Sequence, residues 1–267
     1  MVPAFYLFLF IFLVIAIAGI VLFISIWIKS EKKKKKKILN APFPESWKEF
    51  LNKEIAFYRD LDDLQKIRYE NKIKLFLNDI RITGVEIEIS DELRLLAASS
   101  AIIPIFYFDE WDYFNLVEIL IYDEEVNPNQ PNDPERGGTL LGQVRPFQNR
   151  HIMLLSMQSL IRGFASMNGR DNLGFHEFAH LIDETDGSID GIPKSILPPS
   201  LVRPWTDLMY KEIEKIKRGQ SDINPYGVTN SAEFFAVVCE YFLENPDKFK
   251  IKHPELYSIL STAFKRS

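Results

Sequence analysis

The clearest chemistry in this chain lies in Gly174-Phe175-His176-Glu177-Phe178-Ala179-His180-Leu181-Ile182-Asp183. Two histidines stand four residues apart, and a glutamate directly follows the first. On a helix, positions i and i+4 share one face about one turn apart, so both imidazoles can reach a single metal ion. Glu177 then projects beside them, placed to take a proton from water activated by that ion. Histidine pairs at this spacing also occur on helices that bind no metal. A water-activating site needs a third protein ligand and one position left open.

The downstream candidates for that ligand are Glu212, Glu214, Glu233, Glu240, Glu244 and His253. The segment Asn230-Ser231-Ala232-Glu233-Phe234-Phe235-Ala236 stands out among them. Glu233 opens a strongly apolar helix containing Phe234, Phe235, Val237, Val238, Tyr241 and Phe242. A helix that apolar is buried, and a carboxylate at its start needs a partner. A metal ion is one such partner. A capping box, with Asn230 as N-cap and Glu233 at N3, fits the same spacing. Glu240 lies two turns further along the same face. It is either the ligand itself or the acceptor for an imidazole N–H.

These residues need elements to hold them. The histidine helix is expected to start at an N-cap of Asp171 or Asn172, after a lead-in segment Ser159–Asn172. It should stop near Asp183 or Glu184, before the loop Asp186–Gly191. A long amphipathic helix is expected after Pro204, with Trp205, Leu208, Met209, Ile213 and Ile216 on one side and Gly219 at its end. The turn Asn224-Pro225-Tyr226-Gly227 leads to a helix over Ser231–Leu243, closed by Pro246. A short helix over 255–265 ends the chain. Upstream, Ser46–Ile82 reads as helical and Val85–Ile89 alternates as a strand. A helix capped by Ser90 or Asp91 follows, limited by Pro104. Residues 116–122, 139–144 and 151–156 read as strands, and 123–138 as a loop. The fold class is α+β: a mainly helical domain with a small mixed or antiparallel sheet. His151 falls at a strand start and His253 is expected at the surface, neither with a role. Cys239 lies in the apolar helix, where an inert buried thiol is expected.

The N-terminus has a different character. Residues 4–28 carry no charge and would form about 37 Å of helix, enough to cross a bilayer core of about 30 Å with some tilt. The run lacks a basic segment before it and a small-residue cleavage site after it, so it is read as an anchor rather than a signal peptide. Lys32–Lys37 follow at once. Lysines just beyond a span favour the cytoplasmic side and attract anionic headgroups. The expected organisation is a transmembrane anchor over 1–30, a polylysine and proline linker over 31–45, and one domain over 46–267. The protein would be single-pass in the cell membrane, with its domain in the cytoplasm.

The chain has 267 residues, 46% of them hydrophobic, enough for a sizeable core. It has 32 basic and 37 acidic residues. With the seven lysines and Glu31 of residues 1–37 set aside, 25 basic and 36 acidic remain, a net charge of −11. An acidic domain argues against a nucleic-acid surface. One cysteine permits neither an intrachain disulfide nor a thiolate zinc cluster. There is no GxSxG, no GxxxxGK[ST] and no GxGxxG.

The block His176–Asp183, the block Pro225-Tyr226-Gly227-Val228-Thr229-Asn230-Ser231-Ala232-Glu233-Phe234-Phe235-Ala236 and then Glu240-Tyr241-Phe242 resemble the Mlc titration factor A family of zinc peptidases. The first two blocks are also similar to the catalytic domain of anthrax lethal factor. Both are gluzincins, whose third ligand is a glutamate on a second helix. The resemblance implies a zincin-like metallopeptidase fold over roughly 45–265. It implies one Zn2+ ion held by His176, His180 and Glu233, with Glu177 as general base and Tyr226 as oxyanion donor. Asp183 matches an aspartate shared by both families, which would accept the N–H of a ligand histidine or brace the following loop. The implied substrate is a peptide or protein, paired as a strand with a sheet edge at 151–156 or 139–144. The family is named for sequestering a transcriptional repressor, so regulatory binding without proteolysis is the alternative. The resemblance does not cover residues 1–37, and the well-known family members are soluble.

Overall fold

The computed structural model describes residues 4–123, 142–147, 150–165 and 172–265. The chain divides into two compact units, Met1–Phe43 and Pro44–Ser267.

The first unit is one helix, α1 (Ala4–Asn40). It runs without a break from the apolar stretch through the lysines, so most of the expected linker is helical. Lysine is a good helix former, and the stop comes only where Pro42 and Pro44 forbid continuation. The described large apolar side chains from Tyr6 to Ile28 are 42–72% exposed. The helix is long and apolar enough to cross a membrane.

The second unit opens with α2 (Glu45–Glu54), α3 (Ala56–Arg59) and α4 (Asp63–Asp79), three helices where the sequence pattern reads as one helical region. The Asp62 side chain accepts from the Gln65 N–H and the Gln65 side chain from the Asp62 N–H. This capping box restarts the chain as α4. The next strand, β1 (Arg81–Val85), comes earlier than the expected 85–89. The alternation Val85–Ile89 is real in the sequence, but pairing decides: Ile82 lies opposite Ile119 and Val85 opposite Tyr122, while Glu86 turns away with φ 61°. Helix α5 (Asp91–Ile102) is capped by Ser90.

The remaining strands are β2 (Leu116–Tyr122), β3 (Gly142–Phe147) and β4 (Arg150–Ser156). The sheet order is β1-β2-β4-β3. The first three run parallel and β3 is antiparallel to β4, so the sheet is mixed. Of the two expected edges, β4 is paired on both sides, whereas β3 is an edge among the described strands. Residues 124–138 of the expected loop, residues 139–141 of the expected strand, and Asp171 lie outside the described residues.

Helices α6 (Met157–Ala165), α7 (Leu173–Asp183), α8 (Pro199–Lys217), α9 (Ser231–Glu244), α10 (Pro246–Lys252) and α11 (Pro254–Ala263) complete the unit. α8 begins six residues before the expected start at Trp205 and carries Pro204 inside it, near enough to the N-terminus to forfeit a single ladder bond. The expected last helix corresponds to α11; α10 before it was not expected, and the two are separated at His253 because the residue before Pro254 is driven out of the helical region.

α7 packs against α5, α6, α9, β3 and β4. Phe178, Leu181 and Ile182 are fully buried, and the Phe178 ring lies 4.9 Å from Tyr113 and 6.0 Å from Phe76. α5 approaches closely because its packing residues are small: Ala97, Ala98, Ser99, Ser100 and Ala101 are all buried. A Cβ on Gly174 would lie 2.1 Å from Ser100 Oγ, so the glycine opening the histidine motif is a contact requirement. α9 is buried from Phe234 to Leu243, with Phe234 and Phe235 against Trp205 of α8.

His253 is buried rather than exposed. Its Nδ1 lies 3.3 Å from Glu212 Oε1 and its Nε2 2.8 Å from Asp222 Oδ1. Lys215 and Ser221 also donate to Glu212, and Tyr241 donates to Asp222. The cluster ties α8, the 218–224 loop and the α10–α11 junction to the C-terminal half of α9. Burial alone would lower the His253 pKa, but the two carboxylates raise it above 6.5. Burial would raise that of Glu212, yet His253, Lys215 and Ser221 bring it down to about 2. The histidine's contribution to stability is therefore complete below pH 6.5 and is lost as pH rises through its elevated folded value. The glutamate's is complete above pH 4.5 and is lost as pH falls towards about 2. Breaking a buried pair of this kind costs about 3–5 kcal/mol. His253→Gln should lower the thermal midpoint of the full chain strongly at pH 6 and much less at pH 10. An equal loss at both would contradict a charged His253.

Candidate metal centre

α7 begins where Asn172 Oδ1 accepts the Phe175 N–H, so of the two expected caps Asn172 serves. Its apolar positions turn Phe175, Phe178, Leu181 and Ile182 into the core, which leaves His176 and His180 on the remaining stripe. Their side chains are 13% and 15% exposed. α9 begins at Asn230, whose Oδ1 accepts the Glu233 N–H at 2.9 Å. The cap expected for Asn230 is therefore present. The Glu233 carboxylate, however, turns to the histidines, which the capping-box pattern does not require.

Three atoms converge. His176 Nε2 and His180 Nε2 are 3.2 Å apart. Glu233 Oε2 lies 2.9 Å from the first and 3.6 Å from the second. An ion held tetrahedrally at 2.0–2.1 Å spaces its ligands about 3.3 Å apart. His176 Nδ1 pairs with Glu240 Oε1 at 2.6 Å, so a neutral ring presents a lone pair at Nε2, facing the carboxylate. Burial works against a charged His176, but hydrogen bonds to Glu233 and Glu240 raise its pKa. Burial likewise works against the Glu233 anion, but the two histidines lower its pKa. The three groups ask for a positive charge at their common point. These residues form a group that could hold a metal ion.

Glu177 is 5% exposed, and burial raises its pKa against the opposing pull of His176 and His180. A carboxylate in that setting accepts a proton more readily than one in water. Tyr226 sits in the short turn Pro225–Val228, held by the Asn224 side chain accepting its N–H at 3.0 Å. Its ring is 5.9 Å from that of His176 and it is 54% exposed, at the mouth of the group. All five sequence-selected residues thus meet in one place. Of the other acidic candidates, Glu240 reaches the far side of the His176 ring, Glu212 belongs to the His253 cluster, and Glu214 pairs with Lys217 at the surface.

Asp183 braces the loop. Its Oδ2 accepts the Gly191 N–H at 2.7 Å, and burial raises its pKa to about 6. Gly191 has φ 75°, gives its carbonyl to Trp205 Nε1 at 2.7 Å, and abuts α9 so closely that a Cβ would lie 2.1 Å from Ser231 O. One glycine therefore links the histidine helix, α8 and the start of the Glu233 helix. Sequence reasoning missed this role of Gly191 and Trp205; the only available signal was a glycine ending an acidic loop. It also missed Glu184. That residue stands eight positions after His176 on the same stripe and takes His151 Nε2 at 2.6 Å and Asn115 Nδ2 at 3.2 Å.

The glucose-regulated metallo-peptidase M90 family matches this chain over residues 28–265. The chain belongs to this family. An uncharacterized protein of Synechocystis sp. is 28% identical over 236 residues, covering 84% of this chain and 85% of that protein. Mlc titration factor A of Pectobacterium atrosepticum is 32% identical over 94 residues, covering 32% of this chain and 35% of that protein. The same factor of Escherichia fergusonii is 34% identical over 94 residues, with the same coverage. The relation expected from the motif blocks is thus found, although the match spans about a third of the titration factors' length. Membership in a metallopeptidase family implies a metal ion, and His176, His180 and Glu233 are the described group able to hold one.

Gly191→Ala forces a side chain into a left-handed backbone and against α9. The backbone strain alone costs about 1–3 kcal/mol. A lowered thermal midpoint and reduced metal binding are expected, by calorimetry and metal titration. An unchanged midpoint would show that the loop does not hold α7 and α9 together.

Proposed function

We propose that this chain is a membrane-anchored zinc peptidase. The observation that carries the reading is the convergence of His176 Nε2, His180 Nε2 and Glu233 Oε2 on one point, with the buried Glu177 beside it. Two imidazoles and one carboxylate at tetrahedral spacing, with a position left open, suit zinc in a hydrolytic site. A zinc ion there would polarise a peptide carbonyl and lower the pKa of water towards about 7.

The protein's residues do the rest. Glu177 accepts the proton of the attacking water, favoured by the burial that raises its basicity. It then passes that proton to the leaving nitrogen, so that the C–N bond breaks with a neutral amine as the leaving group. Tyr226 O–H donates to the oxyanion that develops on the carbonyl, from the exposed side of the site. The substrate is an extended peptide, paired with β3, the outer strand among those described. The sheet edge offers backbone N–H and C=O groups that recognise a chain without regard to sequence.

α1 places this chemistry at a membrane, with the N-terminus outside and the domain in the cytoplasm. Six consecutive lysines on a helix wrap its whole circumference and meet anionic headgroups on every side, about 1 kcal/mol each near the surface. Nucleic acid is not a partner, because the domain is acidic. A second reading rests on the relatives named Mlc titration factor A: sequestration of a transcriptional regulator, with little or no proteolysis.

Glu177→Gln should reduce cleavage of a peptide library about 10²–10⁴-fold while one zinc per chain remains, read by elemental analysis. Retained turnover would overturn the base assignment. Glu233→Ala should lose the zinc. A zinc-loaded wild-type chain that cleaves nothing yet binds a regulator stoichiometrically would favour the second reading. The full chain should stay in the membrane pellet after alkaline carbonate extraction, and its release would remove the anchor.

A further inference from the structure

Resting on the metallopeptidase reading, we infer that Glu240 is the positioning residue of the metal centre: by accepting the Nδ1–H of His176, it fixes that ring's tautomer and orientation so that Nε2 is the ligand atom. Glu240 is 4% exposed and lies on α9. Its Oε1 is 2.6 Å from His176 Nδ1, while Glu233 Oε2 is 2.9 Å from Nε2 on the opposite side of the same ring. Two carboxylates seven residues apart on one helix thus grip a single imidazole of another helix across its width. Seven residues are nearly two full turns, about 10 Å of rise, so both side chains leave α9 on the same face. The His176 ring has no freedom to rotate about χ2 without breaking one contact or the other.

The second histidine is held differently. His180 Nδ1 is buried and has no hydrogen-bond partner among the described residues. Asp183, one turn further on α7, spends Oδ2 on the Gly191 N–H instead of on a histidine. Among the described residues, then, His176 is the one of the two histidines whose Nδ1 is held by a carboxylate, and α9 provides it. A hydrogen-bonded carboxylate also increases the electron density of the imidazole that it holds and hence its strength as a ligand. Glu240 does not itself reach the common point, because the His176 ring lies between.

The test measures zinc affinity of the full chain in detergent, by competition with a chromophoric chelator. Glu240→Met keeps the length and apolar fit but removes the acceptor. Its zinc affinity should fall about 10- to 100-fold. Glu240→Gln keeps a carbonyl oxygen at the same reach and should recover most of the loss. Circular dichroism of the zinc-free proteins separates this from unfolding. ¹⁵N-histidine NMR of the zinc-loaded wild-type chain needs no variant, and should show the proton of His176 on Nδ1 and the metal on Nε2. Wild-type affinity in Glu240→Met, or the opposite tautomer, overturns the inference while leaving the zinc site intact. A wild-type chain that binds no zinc overturns the metallopeptidase reading itself.

Discussion

The second unit is organised around an electrostatic demand. Two imidazole nitrogens and a carboxylate oxygen are pressed within 3.6 Å of one another inside a largely apolar body. Lone pairs brought that close repel unless a cation stands between them. The chain must supply enough packing energy elsewhere to keep them together before any ion arrives. It does so by burying both helices that carry the groups. α7 is enclosed by α5, α6, α9 and two strands, and α9 is buried from Phe234 to Leu243. The small residues of α5 and the missing side chain at Gly174 set how near the scaffold can come.

The two faces of α9 separate structure from chemistry. One face presents Glu233 and Glu240 to His176. Tyr241 reaches Asp222 in the ionic cluster around His253, and Phe234 and Phe235 lock onto Trp205. At the other end of the histidine helix, Asp183 and Gly191 fix the start of α9. The helix is thus pinned near both ends by contacts that take no part in the site. This is how a carboxylate with several rotatable bonds can be held at a few tenths of an ångström from where a metal ligand would need to be.

Much of this was legible in the chain. Position and type of His176, Glu177 and His180 follow from helical periodicity, and Asn172 and Asn230 as caps follow from backbone chemistry at helix ends. These are local effects. What was not legible depends on partners distant in sequence. Glu233 and Glu240 could not be told apart from spacing, because both face the same way. Only the position of α7 against α9 separates them. His253 reads as a surface residue before a proline, since nothing nearby announces Glu212 and Asp222. The strand at Arg81–Val85 is set by its register with β2, which overrides the alternation just after it.

The reversed direction of β3 has a geometric consequence. β1, β2 and β4 point one way and β3 the other, so the strand on that outer edge presents its amides in the opposite sense to the rest of the sheet. Any extended chain added antiparallel to β3 would regain the direction of the three parallel strands. A guest paired in that sense would run alongside β4 in direction, one strand removed from it, and the same edge would accept a parallel guest with the reverse polarity and slanted hydrogen bonds.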